Sequence, residues 1–140
     1  MIRRRTIYII DDDEDDRFFF RQAVENAIEK VEVFEFDNGP EFLKKMVQPG
    51  LDLTTSLVLM DINMPRMNGL EVIAKLKSFP QCSQLPVLAI STAADPRIIK
   101  EAMASGASGY FAKPHSPSAL NQLAVNIENY FVGKRPTELL

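Results

Sequence analysis

The sequence contains little of what disulfides and many catalytic sites require: its 140 residues include one cysteine, one histidine and no tryptophan. A single cysteine, Cys82, excludes an internal disulfide and fits a reducing compartment. Cys82 lies in a predicted loop remote in sequence from the only histidine, His115, so we assign neither residue a catalytic role. His115 follows a strand in another loop, where we expect an exposed surface residue.

Basic charge and long apolar runs are also scarce. The 16 lysines and arginines are outnumbered by 19 acidic residues, giving a formal net charge of -3, which disfavours nucleic-acid binding because that function needs a basic surface. The first apolar run, residues 7–10, ends at acidic residues and is shorter than a signal-peptide core of about 7–15 residues. No run approaches the roughly 20 apolar residues of a membrane span. We therefore expect a soluble, cytoplasmic protein that binds neither nucleic acid nor membrane directly.

The hydrophobic pattern switches repeatedly between short apolar runs and helical spacing. Short runs rich in β-branched residues predict strands. Between them, apolar residues recur every three or four positions, which predicts amphipathic helices. The predicted strands are residues 7–10, 31–36, 57–60, 87–90 and 110–112, and the predicted helices are residues 15–30, 41–47, 70–77, 96–106 and 117–131.

This alternation predicts one α/β domain in which a parallel sheet is covered by helices on both faces. The elements use nearly the whole chain, whose length fits a single domain of about 100–150 residues. In open parallel sheets, ligands bind beyond the carboxyl ends of the strands, near the point where strand order reverses. The residues that follow each strand are therefore the candidate site.

Acidic, hydroxyl and basic side chains follow four of the five predicted strands. Each has an ordinary explanation when taken alone, as a helix cap, a turn or a loop residue. Their joint placement at one edge of the sheet is what indicates a functional site. The residues are Asp11 and Asp12 after the first strand, Asp61 after the third, Ser91 and Thr92 after the fourth, and Lys113 after the fifth.

Three carboxylates at one edge of the sheet would repel each other. For two charges about 4 Å apart in an effective dielectric constant near 20, the repulsion is on the order of 4 kcal/mol per pair. Either their pKa values rise or a cation lies among them. An all-oxygen ligand set with room for water favours Mg²⁺ over zinc. With a lysine and hydroxyl groups nearby, the set suits phosphoryl transfer onto a carboxylate nucleophile.

The segments that carry these residues closely resemble the receiver domain of two-component response regulators. The resemblance covers nearly the whole chain and implies a flavodoxin-like, doubly wound sheet of five parallel strands in the order 2-1-3-4-5. It also implies a stand-alone receiver domain over residues 6–132, followed by a short C-terminal tail at 133–140. The matching segments are IIDDD at 9–13, the especially specific LMDINMPRMNG at 59–69, LPVLAIST at 85–92 and GASGYFAKP at 106–114.

The resemblance implies a role for each acidic residue of the site. Asp61 would be the phospho-acceptor. The carboxylates of Asp12 and Asp61 and the backbone carbonyl of Asn63 would bind Mg²⁺, with Asp11 bound directly or through water. The Asn63 side chain would help to orient the water that removes the phosphoryl group.

The basic, hydroxyl and aromatic residues receive roles in the same way. Lys113 would pair with the phosphoryl oxygens, and its peptide bond to Pro114 would be cis. Ser91 would move toward the phosphoryl group as a hydroxyl donor, and Tyr110, at the aromatic switch position, would turn inward with it. Ser91 stands where threonine is more frequent, and Thr92 stands where a small residue is usual. We expect the larger Thr92 to crowd the phosphoryl group and slow attacking water.

The resemblance also implies partners. The donor would be a sensor histidine kinase or a histidine phosphotransfer protein. Phosphorylation would change the surface of the fourth helix, fifth strand and last helix for an unknown downstream protein, and formation of a homodimer stays open. We expect Ile98, Ile99 or Met103 to be partly exposed for such a contact. The protein would be a signalling receiver that promotes its own phosphorylation and dephosphorylation, not an enzyme with a separate substrate.

Other functions fit the sequence less well. An aspartate-nucleophile phosphatase would carry a second aspartate two residues after the nucleophile, where this chain has Asn63, and no G-x-x-x-x-G-K loop supports an NTPase. A calcium-binding EF-hand is disfavoured because its turn glycine is replaced by Asp16 and its twelfth position is Gln22. A receiver-shaped interaction module that takes no phosphate would be preferred if an acidic ligand or the lysine were missing, and all are present.

Overall fold

The computed structural model describes residues 4–65, 67–92 and 95–131, so the predicted tail at 133–140 lies outside the described residues. Strands and helices alternate along the described chain in the predicted order. Among these residues, no helix is both long and apolar enough to span a bilayer. The elements are β1 (Arg5–Ile10), α1 (Glu14–Ala27), β2 (Val31–Phe36), α2 (Gly39–Met46), β3 (Ser56–Asp61), α3 (Gly69–Lys77), β4 (Val87–Ser91), α4 (Pro96–Ser105), β5 (Gly109–Ala112) and α5 (Pro117–Phe131), with a short 3-10 helix at Pro80–Cys82.

The five strands form one parallel sheet in the order β2-β1-β3-β4-β5, which confirms the expected topology. β3 is central, and all six of its residues are buried. At its carboxyl end Asp61 pairs with Ile90, while Ser91 on β4 pairs with Ala112 on β5. Strand order reverses between β1 and β3, so the ends of these neighbouring strands flank the crevice where ligands bind in such sheets.

The sheet separates two apolar cores because successive side chains of a strand point to opposite faces. On β3, Val58 and Met60 pack with buried residues of α2, α3 and α4. Leu57 and Leu59 pack on the other face with buried residues of α1 and α5. A strand that is apolar at every position is what a sheet covered on both faces requires.

Helix boundaries differ from the predicted ones where a cap or a turn decides them. α1 ends at Ala27, three residues earlier than predicted, because Ile28 is already extended and Lys30 adopts a φ of 54°. α2 begins at Gly39, two residues earlier than predicted, because the Asn38 side chain accepts a hydrogen bond from the Glu41 amide at 2.9 Å and so caps the helix.

Candidate functional site

Asp61 is the last residue of the central strand and is 2% exposed. The backbone N–H of Asn63 donates to Asp61 Oδ1 at 2.9 Å, which fixes one carboxylate oxygen. The start of α3 packs against this strand end so closely that a Cβ on Gly69 would lie 2.5 Å from the Asp61 carbonyl oxygen and from Ile62 Cα. Glycine is therefore required at the contact that holds Asp61.

Asp11, Asp12 and Asp61 form an acidic cluster. One oxygen from each carboxylate lies within 4.8 Å of the others. Asp11 Oδ2 is buried and pairs with the Lys113 ammonium, whose Nζ lies 3.0 Å away. Asp11 and Asp61 are buried while Asp12 is exposed. Oxygen ligands that are open to water on one side fit Mg²⁺, which keeps several waters when protein carboxylates bind it.

The raised pKa values of Asp61 and Asp11 fit a cluster that binds a cation. Burial raises the pKa of Asp61 from 3.8 to about 6, with the Asn63 amide and Lys113 lowering it and the charges of Asp11 and Asp12 raising it. Burial also raises the pKa of Asp11, against hydrogen bonds from the Asp13 amide and Lys113. Ionised carboxylates at these positions are therefore under-stabilised by the protein, and a divalent cation would offset their repulsion.

Lys113 brings positive charge to the same cluster from the end of β5. Its backbone N–H donates to the Ser91 carbonyl at 2.8 Å, which continues the β4–β5 ladder by one residue. Its Nζ lies 3.0 Å from Asp11 Oδ2, 3.5 Å from Asp61 Oδ2 and 2.8 Å from Asp16 Oδ2. Burial lowers the pKa of Lys113, but its hydrogen bonds to Asp16 and Asp11 and the charge of Asp61 raise it above the ordinary value.

Sequence reasoning missed the part that two residues of α1 play at this edge. The sequence assigned Asp16 no contact with the lysine, yet it is the acidic residue closest to Lys113 Nζ. The Arg17 guanidinium donates to the Asp11 carbonyl at 2.7 Å and pairs with Glu35 at 3.1 Å. The available signal was the spacing: both residues lie in the first turn or so of a helix that begins beside the acidic cluster.

Ser91 and Thr92 are joined to the end of β3 through Asn63. The Ser91 hydroxyl donates to Asn63 Oδ1 at 2.9 Å, and the Thr92 backbone N–H donates to the same oxygen at 3.3 Å. Ser91 is buried at 2% exposure, whereas Thr92 is exposed. The Asn63 side-chain oxygen, which was expected to face attacking water, is occupied by these two donors.

The ring of Tyr110 on β5 and the peptide bond between Lys113 and Pro114 both differ from what the sequence led us to expect. Tyr110 is 1% exposed and already lies in the core beneath α4, so its ring is inward while Ser91 is bonded to Asn63. The expected cis bond between Lys113 and Pro114 is wrong, since no peptide bond among the described residues is cis. The trans and cis forms before proline differ by only about 0.5–1 kcal/mol in simple chains, so the Lys-Pro sequence does not decide the isomer.

The three apolar side chains of α4 that were expected to be partly exposed are partly exposed in the structure. Met103 is 42% exposed, while Ile98 and Ile99 are half-buried at the margin of the core. Their contact with a partner stays a prediction. His115 is exposed, as expected.

The sequence and the fold of this chain are similar to those of known proteins of one family. The Response regulator receiver domain family matches residues 7–125. The chemotaxis protein CheY1 of Helicobacter pylori strain 26695 is 27% identical over 105 residues, which cover 73% of this chain and 82% of CheY1. The crystal structure of the phosphorylated cyanobacterial phytochrome response regulator RcpA superposes with a TM-score of 0.80 at 27% identity, covering 93% of this chain and 95% of RcpA. CheY4 of Vibrio cholerae gives a TM-score of 0.75 at 26% identity, covering 89% and 99% respectively.

Proposed function

Because the chain belongs to the response regulator receiver domain family, we propose that Asp61 accepts a phosphoryl group from a histidine kinase or a histidine phosphotransfer protein. An oxygen of the Asp61 carboxylate forms the new bond to phosphorus while the phosphorus–nitrogen bond of the donor's phosphohistidine breaks, and the electron pair stays on the imidazole. The observation that carries the proposal is the convergence of three carboxylates and the Lys113 ammonium at the end of the central strand.

Asp11, Asp12, Asp61 and the backbone carbonyl of Asn63 are the groups proposed to hold Mg²⁺. When bound, the ion would neutralise the carboxylates and the developing charge of the transferring group. Asp61 is kept in place by the Asn63 amide and by the contact with Gly69. A carboxylate held in one position by the backbone is suited to in-line attack, because positioning supplies most of the catalysis in phosphoryl transfer.

Lys113 and Ser91 are proposed to bind the phosphoryl oxygens once they are in place. The Lys113 ammonium is already 3.5 Å from Asp61 Oδ2 and needs little movement to reach an oxygen attached there. A phosphoryl group brings about -1.5 to -2 charge units and strong acceptor oxygens, which would attract both the ammonium and the Ser91 hydroxyl. Tyr110 is the proposed aromatic switch residue, although its ring already occupies the inward position expected of the phosphorylated state, and Thr92 is proposed to limit the access of water.

Movement of Ser91 would be transmitted to the surface formed by α4, β5 and α5. Ser91 ends β4, and the next described helix is α4, whose Met103 is exposed. We propose that this surface binds a downstream protein, and that Met103 with the half-buried Ile98 and Ile99 forms its apolar part. The receiver domain is proposed to extend over residues 6–132 and to act in the cytoplasm.

The test is phosphorylation by a small donor. The protein is incubated with acetyl phosphate and Mg²⁺, and its intact mass is followed. We expect the mass of one phosphoryl group to be gained by the wild type and by Asp13→Asn, which keeps a helix-capping side chain, but not by Asp61→Asn. Absence of the gain in folded wild-type protein, or its persistence in Asp61→Asn, would contradict the proposal and favour an interaction module that takes no phosphate.

A further inference from the structure

The side-chain oxygen of Asn63 binds two donors at the end of β4, one of which, the Ser91 hydroxyl, is a proposed donor to the phosphoryl group. It accepts from the Ser91 hydroxyl at 2.9 Å and from the Thr92 backbone N–H at 3.3 Å. The backbone N–H can only donate, so its bond identifies the side-chain atom facing it as oxygen rather than nitrogen. Asn63 itself is exposed, whereas Ser91 is buried. The hydrogen bond therefore reaches inward from the rim to the end of β4.

The Ser91 hydroxyl has a single proton and can donate only one hydrogen bond at a time. While it donates to Asn63, it does not donate to an oxygen on Asp61. The resting arrangement and the arrangement needed to bind a phosphoryl group therefore exclude each other at this atom. Asn63 is also tied to the acceptor itself, since its backbone N–H donates to Asp61 Oδ1 at 2.9 Å.

We propose that the Asn63 side chain is a latch for the unphosphorylated state: it competes with the phosphoryl group for Ser91 and Thr92 and so lowers the affinity of the site for that group. The proposal rests on the proposed function, because it assumes that Ser91 moves to the phosphoryl oxygens. Asn63 acts here as a positioning residue through Ser91, and its role in the resting state is separate from its backbone carbonyl's role toward Mg²⁺.

Phosphorylation opens the latch because the competing acceptor is charged. Hydrogen bonds to an ionised oxygen are roughly twice as strong as those between neutral groups. The hydroxyl therefore leaves the Asn63 amide for the phosphoryl oxygen, and the end of β4 is released from the Asn63 side chain, while its backbone stays paired with β3. Before phosphorylation the latch biases the equilibrium toward the resting arrangement, and its removal shifts that bias without any change in the metal ligands or in Lys113.

The experiment measures binding of beryllofluoride, a non-covalent mimic of the phosphoryl group, in the presence of saturating Mg²⁺. We expect Asn63→Ala to bind it about three- to tenfold more tightly than the wild type, the factor that loss of one or two neutral hydrogen bonds in the resting state would give. Asn63→Leu has nearly the shape of asparagine without its oxygen, and it should bind with the same gain. Ser91→Ala serves as the second background, in which Asn63→Ala should change affinity by less than about twofold because most of the competition has been removed.

A spectroscopic measurement separates the latch from a general loosening of the structure. In amide NMR spectra of the unliganded Asn63→Ala protein, the Thr92 resonance should move toward its position in beryllofluoride-bound wild type. Unchanged or weaker binding by both Asn63 variants would overturn the latch, and so would an equal gain in the Ser91→Ala background. If wild-type protein neither binds beryllofluoride nor accepts phosphate, the proposed function fails and the latch with it; if wild type does both and the Asn63 variants show no gain, the latch alone is wrong.

Discussion

The Lys113 ammonium lies closer to Asp16 than to Asp61: its Nζ is 2.8 Å from Asp16 Oδ2 and 3.5 Å from Asp61 Oδ2. The pair is only moderately exposed, with 10% of the Lys113 side chain and 36% of the Asp16 side chain accessible to solvent. Asp16 therefore neutralises part of the Lys113 charge that phosphoryl transfer to Asp61 would use. Removing the Asp16 carboxylate should therefore change the rate at which Asp61 is phosphorylated.

We predict that Asp16→Asn is phosphorylated by acetyl phosphate faster than the wild type at saturating Mg²⁺. The expected gain is about two- to fivefold, because a partly exposed ion pair contributes up to about 1 kcal/mol. The rate is read from the intact mass over time. Asp15→Asn is the matched control, since it removes the same charge one residue away from an exposed side chain. An unchanged rate, or an equal gain in Asp15→Asn, would show that Asp16 does not restrain Lys113.

The raised pKa of Asp61 predicts how stability depends on pH without metal. Burial raises this pKa from 3.8 to about 6, so the folded protein holds the proton more tightly than the unfolded chain does. The corresponding stability is present below about pH 3.8 and is lost as the pH rises through about 6. At about pH 7.5 and without Mg²⁺, Asp61→Asn should therefore be more stable than the wild type by about 1 to 3 kcal/mol.

Urea denaturation with a chelator present checks this expectation. The gap in unfolding free energy between Asp61→Asn and the wild type should shrink as the pH falls through about 6 and should approach zero only below about pH 3.8, where the wild-type carboxyl is protonated in both the folded and the unfolded chain. Excess Mg²⁺ at neutral pH should reverse the gap, since the ion stabilises only the protein that can bind it. A gap that is independent of pH would mean that the Asp61 carboxylate is not under-stabilised.

The acidic cluster predicts the effect of one charge on metal affinity. Asp12→Asn should weaken Mg²⁺ binding at least about tenfold, because a unit charge next to the ion is lost. Calorimetric titration measures this directly and needs no phosphorylation. Asp13→Asn removes a neighbouring charge and keeps the cap of α1, whose amides at Asp15 and Asp16 bind the Asp13 side chain. Similar losses in both variants would point to the general negative field rather than to a ligand.

The exposed side chain of Thr92 predicts the lifetime of the phosphorylated state. Thr92→Ala should speed loss of phosphate by about two- to tenfold, which corresponds to a barrier lowered by up to about 1.4 kcal/mol. The decay is followed by intact mass after the donor has been removed. Thr92→Val keeps the bulk without the hydroxyl, so it should decay at the wild-type rate. Slower or unchanged decay in Thr92→Ala would refute shielding by this side chain.

Most of the fold could be predicted from the spacing of apolar residues. β2 occupies the predicted residues, and β3 extends the predicted run by one residue at each end. The order of the strands came from the family resemblance, because periodicity does not specify which strands pair. The 3-10 helix at Pro80–Cys82 was missed because three residues carry no periodic signal; the Lys77 ammonium holds this turn by donating to the carbonyls of Cys82 and Leu85.

The site was predictable as far as backbone position determines it. Asp11, Asp12, Asp61 and Lys113 follow strand ends, and a parallel sheet brings strand ends together. The contacts of Asp16, Arg17 and the Asn63 amide depend instead on the phase of α1 and on side-chain direction. An acidic residue in a first helical turn already has an explanation in the helix dipole, so no sequence pattern connects Asp16 with a lysine 97 positions away.

The contact between Gly69 and the end of β3 determines what a partner protein can detect. Asp61 is 2% exposed and sits on the innermost strand, with the first turn of α3 pressed against its backbone. Unmodified Asp61 offers a neighbouring protein almost no surface to contact, and any side chain larger than that of glycine at position 69 would collide with its backbone. Information about the chemistry would instead leave through side chains that reach this strand end from neighbouring elements: Lys113 after β5, which also contacts α1, and Ser91 at the end of β4, which is joined to it through Asn63.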